Sequence, residues 1–122
     1  MSSYRDLEIY KNSYELALRV HQLTLQLPKF ELYEEGSQAR RSSKGIPSCI
    51  SEGYGRKKYT ADFVKYLTYA QASCDETMVH LELIGDTHKL NGDELKSILE
   101  EYERLGKQIN KFIQYVEKEW RG

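Results

Sequence analysis

Between Phe63 and His88, the residues Phe63, Leu67, Ala70, Cys74, Thr77, Leu81, Ile84 and His88 recur at alternating spacings of four and three. That alternation holds one stripe of an α-helix toward a partner for about seven turns and is incompatible with the period of two of a strand. A seam of this length must be covered by other helices, and the rest of the chain supplies them. After Gly92, the segment Asp93 to Trp120 repeats the pattern in Leu95, Ile98, Tyr102, Leu105, Ile109, Phe112 and Val116. The segment Tyr4 to Leu27 carries Leu7, Tyr10, Tyr14, Ala17, His21 and Thr24 as one stripe, with Leu16, Val20, Leu23 and Leu27 as a second. A face that wide suits a helix inside a bundle. A fourth segment, Ser37 to Ser51, points Ala39, Ser43, Ile46 and Ile50 inward. The expectation is an all-α, antiparallel up-down four-helix bundle, one domain over residues 1–122, because 122 residues divided in two would leave neither half an adequate core.

Punctuation between these segments follows the usual chemistry. Pro28 ends the first helix and opens a connection to Gly36, in which Phe30 and Tyr33 are expected to fold back on the bundle end. Ser37 and Thr60 are the expected N-caps of the second and third helices, and Asn91-Gly92 the stop of the third. Pro47 removes a backbone donor and crowds the preceding turn, so the second helix is expected to kink there, with Ser42 and Ser43 bonding the freed carbonyls. Gly53 and Gly55 are read as closing that helix in a Glu52-Gly53-Tyr54-Gly55-Arg56 turn. Small residues Ala70, Ala72 and Ser73 thin the third helix and invite close approach by another. On the fourth helix, Glu100-Arg104 and Glu103-Lys107 have the favourable order for pairs one turn apart.

Little catalytic chemistry is written here. Carboxylate-bridged metals in bundles use inward Glu residues with Glu-x-x-His pairs, and none is present. Glu76 and His80 are four apart and lie beside the seam. Cys49 and Cys74 lack metal-ligand spacing and an adjacent His, and burial raises rather than lowers a thiol pKa. Glu52-Gly53-Tyr54-Gly55-Arg56 follows no strand, which a phosphate loop requires. The chain therefore reads as non-enzymatic, with no cofactor and no metal. No apolar run reaches the roughly 20 residues of a membrane span, and no secretory signal pattern is visible; free thiols then fit the cytoplasm.

Charge is the remaining signal. The net charge is −1, yet Ser37 to Lys65 holds Arg40, Arg41, Lys44, Arg56, Lys57, Lys58 and Lys65 against only Glu52 and Asp62. Two readings are open: nucleic-acid contact through these seven residues, or ion pairs of Arg40 and Arg41 with Glu52, Glu76 or a neighbour's carboxylates. Ten tyrosines against three phenylalanines suit partly wet subunit contacts, and Tyr59, Tyr66 and Tyr69, off the main seam, are the expected oligomer interface.

Gln38-x-Arg40-Arg41, Ile46-Pro47-Ser48-x-Ile50-x-Glu52-Gly53 and Phe63-x-x-x-Leu67, with Leu27-Pro28, Glu31 and Tyr33 before them and Ala70, Ser73 and Glu76 after, together resemble the 23S rRNA intervening-sequence protein family. The resemblance covers nearly the whole chain. It implies a four-helix subunit, commonly assembled as a homopentamer, of a bacterial family with no established activity. It also extends to the accessory variability proteins of diversity-generating retroelements, which implies RNA or DNA, or a nucleic-acid enzyme, as a partner. The functional expectation is a homo-oligomeric assembly module that binds nucleic acid through a repeated basic surface; the alternative is a protein–protein scaffold.

Overall fold

The computed structural model describes residues 3–88 and 92–121. A 3-10 turn, Tyr4–Asp6, leads into α1 (Glu8–Thr24), the one-turn α2 (Lys29–Leu32), α3 (Glu35–Gly55), α4 (Thr60–His88) and α5 (Asp93–Glu119), and no strand occurs among the described residues. The four long helices form a closed ring in which α3 packs on α1 and α4, and α5 on α4 and α1. Contacts across each boundary run in opposite chain directions. Arg40 meets Thr24 while Lys44 meets His21; Glu35 meets His80 while Ser42 meets Thr77; Gln71 meets Gly106 while Cys74 meets Tyr102; Asn12 meets Gln108 while Arg19 meets Ser97.

The α4 seam is the core's spine: seven of its eight positions, Phe63 through Ile84, are buried and only His88 is partly exposed. In α5 the stripe is as expected except that Ile113, one residue on, takes the buried place expected of Phe112. In α1 both stripes contribute to the buried face: Leu7, Ala17 and Thr24 of the first are buried, as is the whole of the second, while Tyr10 and His21 are partly exposed. Leu16, Val20 and Leu23 are buried, joined by Ile9 and Ser13, whereas Tyr14 is 51% exposed. Tyr14 fits the periodicity, but Leu16 and Val20 can be buried there with no hydroxyl to satisfy.

Small residues set the α3–α4 spacing. A Cβ on Gly53 would lie 3.0 Å from Tyr66 Cβ and 3.3 Å from Phe63 Cδ1, so this glycine serves close approach. It lies within α3, which continues past Ser51 to Gly55, and the turn begins only at Arg56; the expected closing turn at Glu52–Gly55 is therefore helix. Ser73 faces Gly45 of α3, Ala70 is wholly buried, and Ala72 is exposed. α3 is continuous through Pro47. Ser42 and Ser43 donate to the carbonyls of Ala39 and Arg40, three residues back, and not to the Ser43 carbonyl that Pro47 leaves without its usual donor.

Helix starts also differ from expectation. α3 begins at Glu35, and the Glu31 carboxylate accepts from the Glu35 amide at 3.1 Å, so the cap comes from Glu31 and Ser37 lies in the first turn. α4 begins at Thr60 itself, with the Phe63 amide bonded to the Tyr59 carbonyl. Phe30 leans on the His88 ring at the bundle end, 6.2 Å between centroids, but stays 65% exposed, and Tyr33 is 69% exposed. Arg104 pairs with Glu101 rather than Glu100. Asn91, the expected stop of α4, lies outside the described residues.

Candidate nucleic-acid interface

The turn between α3 and α4 puts Arg56, Lys57 and Lys58 in consecutive positions at one end of the bundle, and the first two turns of α4 add Lys65. Beneath them is an aromatic floor. Phe63 is fully buried and meets Tyr54, Phe112 and Trp120 edge-on, at centroid distances of 6.2, 5.9 and 5.2 Å. The Trp120 indole donates to the Lys57 carbonyl at 2.9 Å, tying the end of α5 to the basic turn. The turn is thus anchored from below while its cations stay on the surface.

Each of those cations rests on a tyrosine. Lys57 Nζ lies 3.8 Å from the Tyr54 ring centre, and the Arg56 guanidinium 5.0 Å from Tyr66. Lys65 Nζ is 5.5 Å from Tyr66, and Lys58 Nζ 5.8 Å from Tyr59. Such contacts leave the charge intact and hold the side chain near the ring. Among the described residues none of the four is in an ion pair with a carboxylate. An open concavity of about 550 Å³ is lined by Glu52, Gly55, Arg56, Lys58, Tyr59 and Asp62.

The seven cations grouped in sequence do not share one surface. Sixteen residues of helix separate Arg40 from Arg56, roughly 24 Å along the axis. The Arg40 guanidinium is turned inward, donating to Thr24 Oγ1 at 3.0 Å and to the Leu32 carbonyl at 2.7 Å. It braces α1 and α2 against α3; its partners are neutral, and neither Glu52 nor Glu76 pairs with it. Arg41 is exposed on α3. Lys44 lies 3.1 Å from His21 Nδ1 and lines a separate groove between α1 and α3, with Tyr10, Tyr14, Ala17, Leu18, Pro47, Ser48 and Ser51. Of the three tyrosines expected at a subunit contact, Tyr59 and Tyr69 are 61% and 50% exposed, and Tyr66 is half-buried beneath Arg56 and Lys65.

The opposite end carries the features least readable in the sequence. His88 Nε2 meets Glu31 Oε2 at 2.7 Å; His80 Nδ1 meets Glu35 Oε2 at 2.7 Å, and its Nε2 lies 3.4 Å from Glu76 Oε2. The hydrogen bond from His88, then that from the Glu35 amide, holds the Glu31 carboxyl below its ordinary pKa of 4.5, against the opposing effect of burial. His88 was visible as the last seam position, but its partner lies 57 residues away in the chain. Among the described residues no group of three or more His, Cys, Asp or Glu side chains is arranged so that it could hold a metal ion. Burial pushes the Cys74 thiol up to about 12, with Asp75 and Glu103 adding to it, and raises Cys49 too, with Glu52 adding to it. Neither thiol is poised as a nucleophile. No described helix is long and apolar enough to cross a membrane.

No curated protein matches the chain. A protein of unknown function of the S23 ribosomal protein family, from Bacteroides thetaiotaomicron, has a similar crystal structure, with TM-score 0.74 and 26% identity over 87% of this chain and 98% of that one. The model of the 23S rRNA-intervening sequence proteins matches residues 5–111, and the chain belongs to that family.

Proposed function

We propose that this protein is a non-catalytic, self-assembling helical module that holds a nucleic-acid backbone on the end formed by Arg56, Lys57, Lys58 and Lys65. The observation that carries the reading is the state of those four cations. Arg56, Lys57 and Lys58 project from a turn anchored by Trp120 and Lys65 from the start of α4; all four rest on tyrosine rings, and none is in an ion pair with a carboxylate among the described residues. Unpaired cations fixed at one end of a near-neutral chain attract phosphate by counterion release, which needs no base recognition. Arg41 and Lys44 extend the field along α3; Arg40 serves the fold. In a cyclic oligomer the basic end repeats around the axis, and the pentamer is the form that the family resemblance suggests.

The test is a salt titration of RNA and DNA binding. Log affinity falls linearly with log salt for the parent, and Arg56/Lys57/Lys58→Ala lowers the slope by about one unit for each phosphate no longer neutralised. A folded triple variant that binds as the parent does, or a parent that binds neither nucleic acid at low salt, overturns the reading.

The α1–α3 groove favours a second reading, a protein–protein scaffold. Tyr14 and Leu18, 51% and 55% exposed, line the groove together with Pro47, and Leu25, at the end of α1, is 50% exposed. Apolar side chains so exposed mark an interaction surface. Light scattering decides whether that surface joins copies of the chain: a monomer at micromolar concentration contradicts self-assembly.

A further inference from the structure

The basic end is more than a set of charges, because its cations alternate with exposed rings in one continuous strip. Tyr59 shares the concavity with Lys58 and Arg56, and with the carboxylates Glu52 and Asp62, neither of which is in an ion pair with the two cations. Arg56 reaches from that concavity to the face of Tyr66, and Tyr66 meets Tyr69 edge-on at 5.6 Å, one helical turn along α4. The strip therefore reads Tyr59, Arg56, Tyr66, Tyr69, with Lys58 and Lys65 along its sides. Tyr59 and Tyr69 are at least half exposed, and neither ring is edge-packed into the aromatic floor below.

Phosphate attraction does not account for those two rings. A duplex presents its phosphates outward and keeps its base faces stacked on one another, so it has nothing to lay on a tyrosine. A single strand has unstacked bases, every one of which offers a π-face, and proteins that bind single strands combine a basic track with aromatic platforms. We infer that the strip is a single-strand site: Tyr59 and Tyr69 stack on bases while Arg56, Lys58 and Lys65 hold the intervening phosphates. The ligand class is single-stranded RNA or DNA, or the unpaired loop of a folded RNA, with little preference among base identities. Tyr66, held between Arg56 and Lys65, positions those two cations and does not itself stack.

The inference rests on the nucleic-acid reading above, and the experiment separates the two. Fluorescence anisotropy is measured with a short oligouridine and with duplex RNA of the same length, at several salt concentrations, for the parent, Tyr59→Ala, Tyr69→Ala and Tyr69→Phe. The parent should prefer the single strand. Each Tyr→Ala variant should lose roughly 5- to 150-fold in affinity for oligouridine. The salt slope should stay unchanged, since no charge is removed. Tyr69→Phe, which keeps the ring, should bind as the parent does, and light scattering should give all variants the parental mass. Equal affinity for both ligands, with no loss on Tyr→Ala, overturns the stacking inference and leaves phosphate binding standing. Failure of the parent to bind either ligand overturns both. A fall in oligomer mass on Tyr→Ala assigns the rings to a subunit contact and overturns the inference as well.

Discussion

The two ends of this bundle both expose aromatic rings, but the charged residues beside those rings differ. At the α3–α4 turn, Tyr59, Tyr66 and Tyr69 are interleaved with Arg56, Lys58 and Lys65. At the far end, Phe30 and Tyr33 are as exposed, with Phe30 beside His88; the charged residues flanking them in the chain are Lys29, Glu31, Glu34 and Glu35, and Arg40 reaches the Leu32 carbonyl between them. The cations at the first end have no carboxylate partner among the described residues; the carboxylates of Glu31 and Glu35 at the second are engaged by histidines and by a helix start. Exposed rings alone therefore cannot mark a nucleic-acid surface. What distinguishes the two ends is that the cations of the first are in no ion pair among the described residues, and on the proposed reading the far end serves as the control.

The strongest way to break the comparison is to remove the floor of the basic end. Phe63→Ala deletes the ring that joins Tyr54, Phe112 and Trp120 and should cost about 3–5 kcal/mol in chemical denaturation. At temperatures where the variant is still folded, nucleic-acid binding should weaken while the His88–Glu31 contact persists.

Arg40 sharpens the comparison next. Arg40→Ala removes two hydrogen bonds from a charged donor and should cost about 1.5–3 kcal/mol, because Thr24 and the Leu32 carbonyl lose their partner. Its salt slope for nucleic acid should equal the parent's. Stability and binding thus separate at a residue that the sequence groups with the basic cluster.

Glu31 tests the far end through pH. Its folded pKa is depressed, so its contribution to stability is present above the ordinary value of 4.5 and is lost as pH falls through the lower folded value. Glu31→Gln should have a lower melting temperature than the parent at neutral pH, and the difference should shrink on acidification below 4.5. Binding at the basic end should not change.

Tyr102→Phe carries the smallest expected effect and concerns neither end. The Tyr102 hydroxyl is wholly buried, with no hydrogen-bond partner of good geometry among the described residues although Ser43 lies beside it. Its removal should be neutral or stabilise the fold by about 1 kcal/mol, with binding unchanged.

How far the sequence is legible follows from the range of each interaction. The α4 seam is a local repeat, and its positions from Phe63 to Ile84 are buried as the spacing predicts. In α1 two stripes satisfy the same periodicity, and only packing in the ring selects Leu16, Val20 and Leu23 over Tyr14. Arg56, Lys57 and Lys58 are adjacent in the chain and so remain adjacent in space. Arg40 is on the helix that leads into that turn but roughly 24 Å back along its axis, and its guanidinium is turned inward. Glu31–His88 and Trp120–Lys57 join residues 57 and 63 positions apart, and no local pattern announces them.

The most direct test is ultraviolet crosslinking of the intact protein to oligouridine, with the modified peptides identified by mass spectrometry. Exposed aromatic residues at both ends are available to react, so reactivity alone does not favour either. The account predicts adducts at Tyr59 and Tyr69, none at Phe30 or Tyr33, and loss of the adducts in Arg56/Lys57/Lys58→Ala. Adducts at Phe30 and Tyr33, or equal labelling of the two ends that survives the triple substitution, would contradict it.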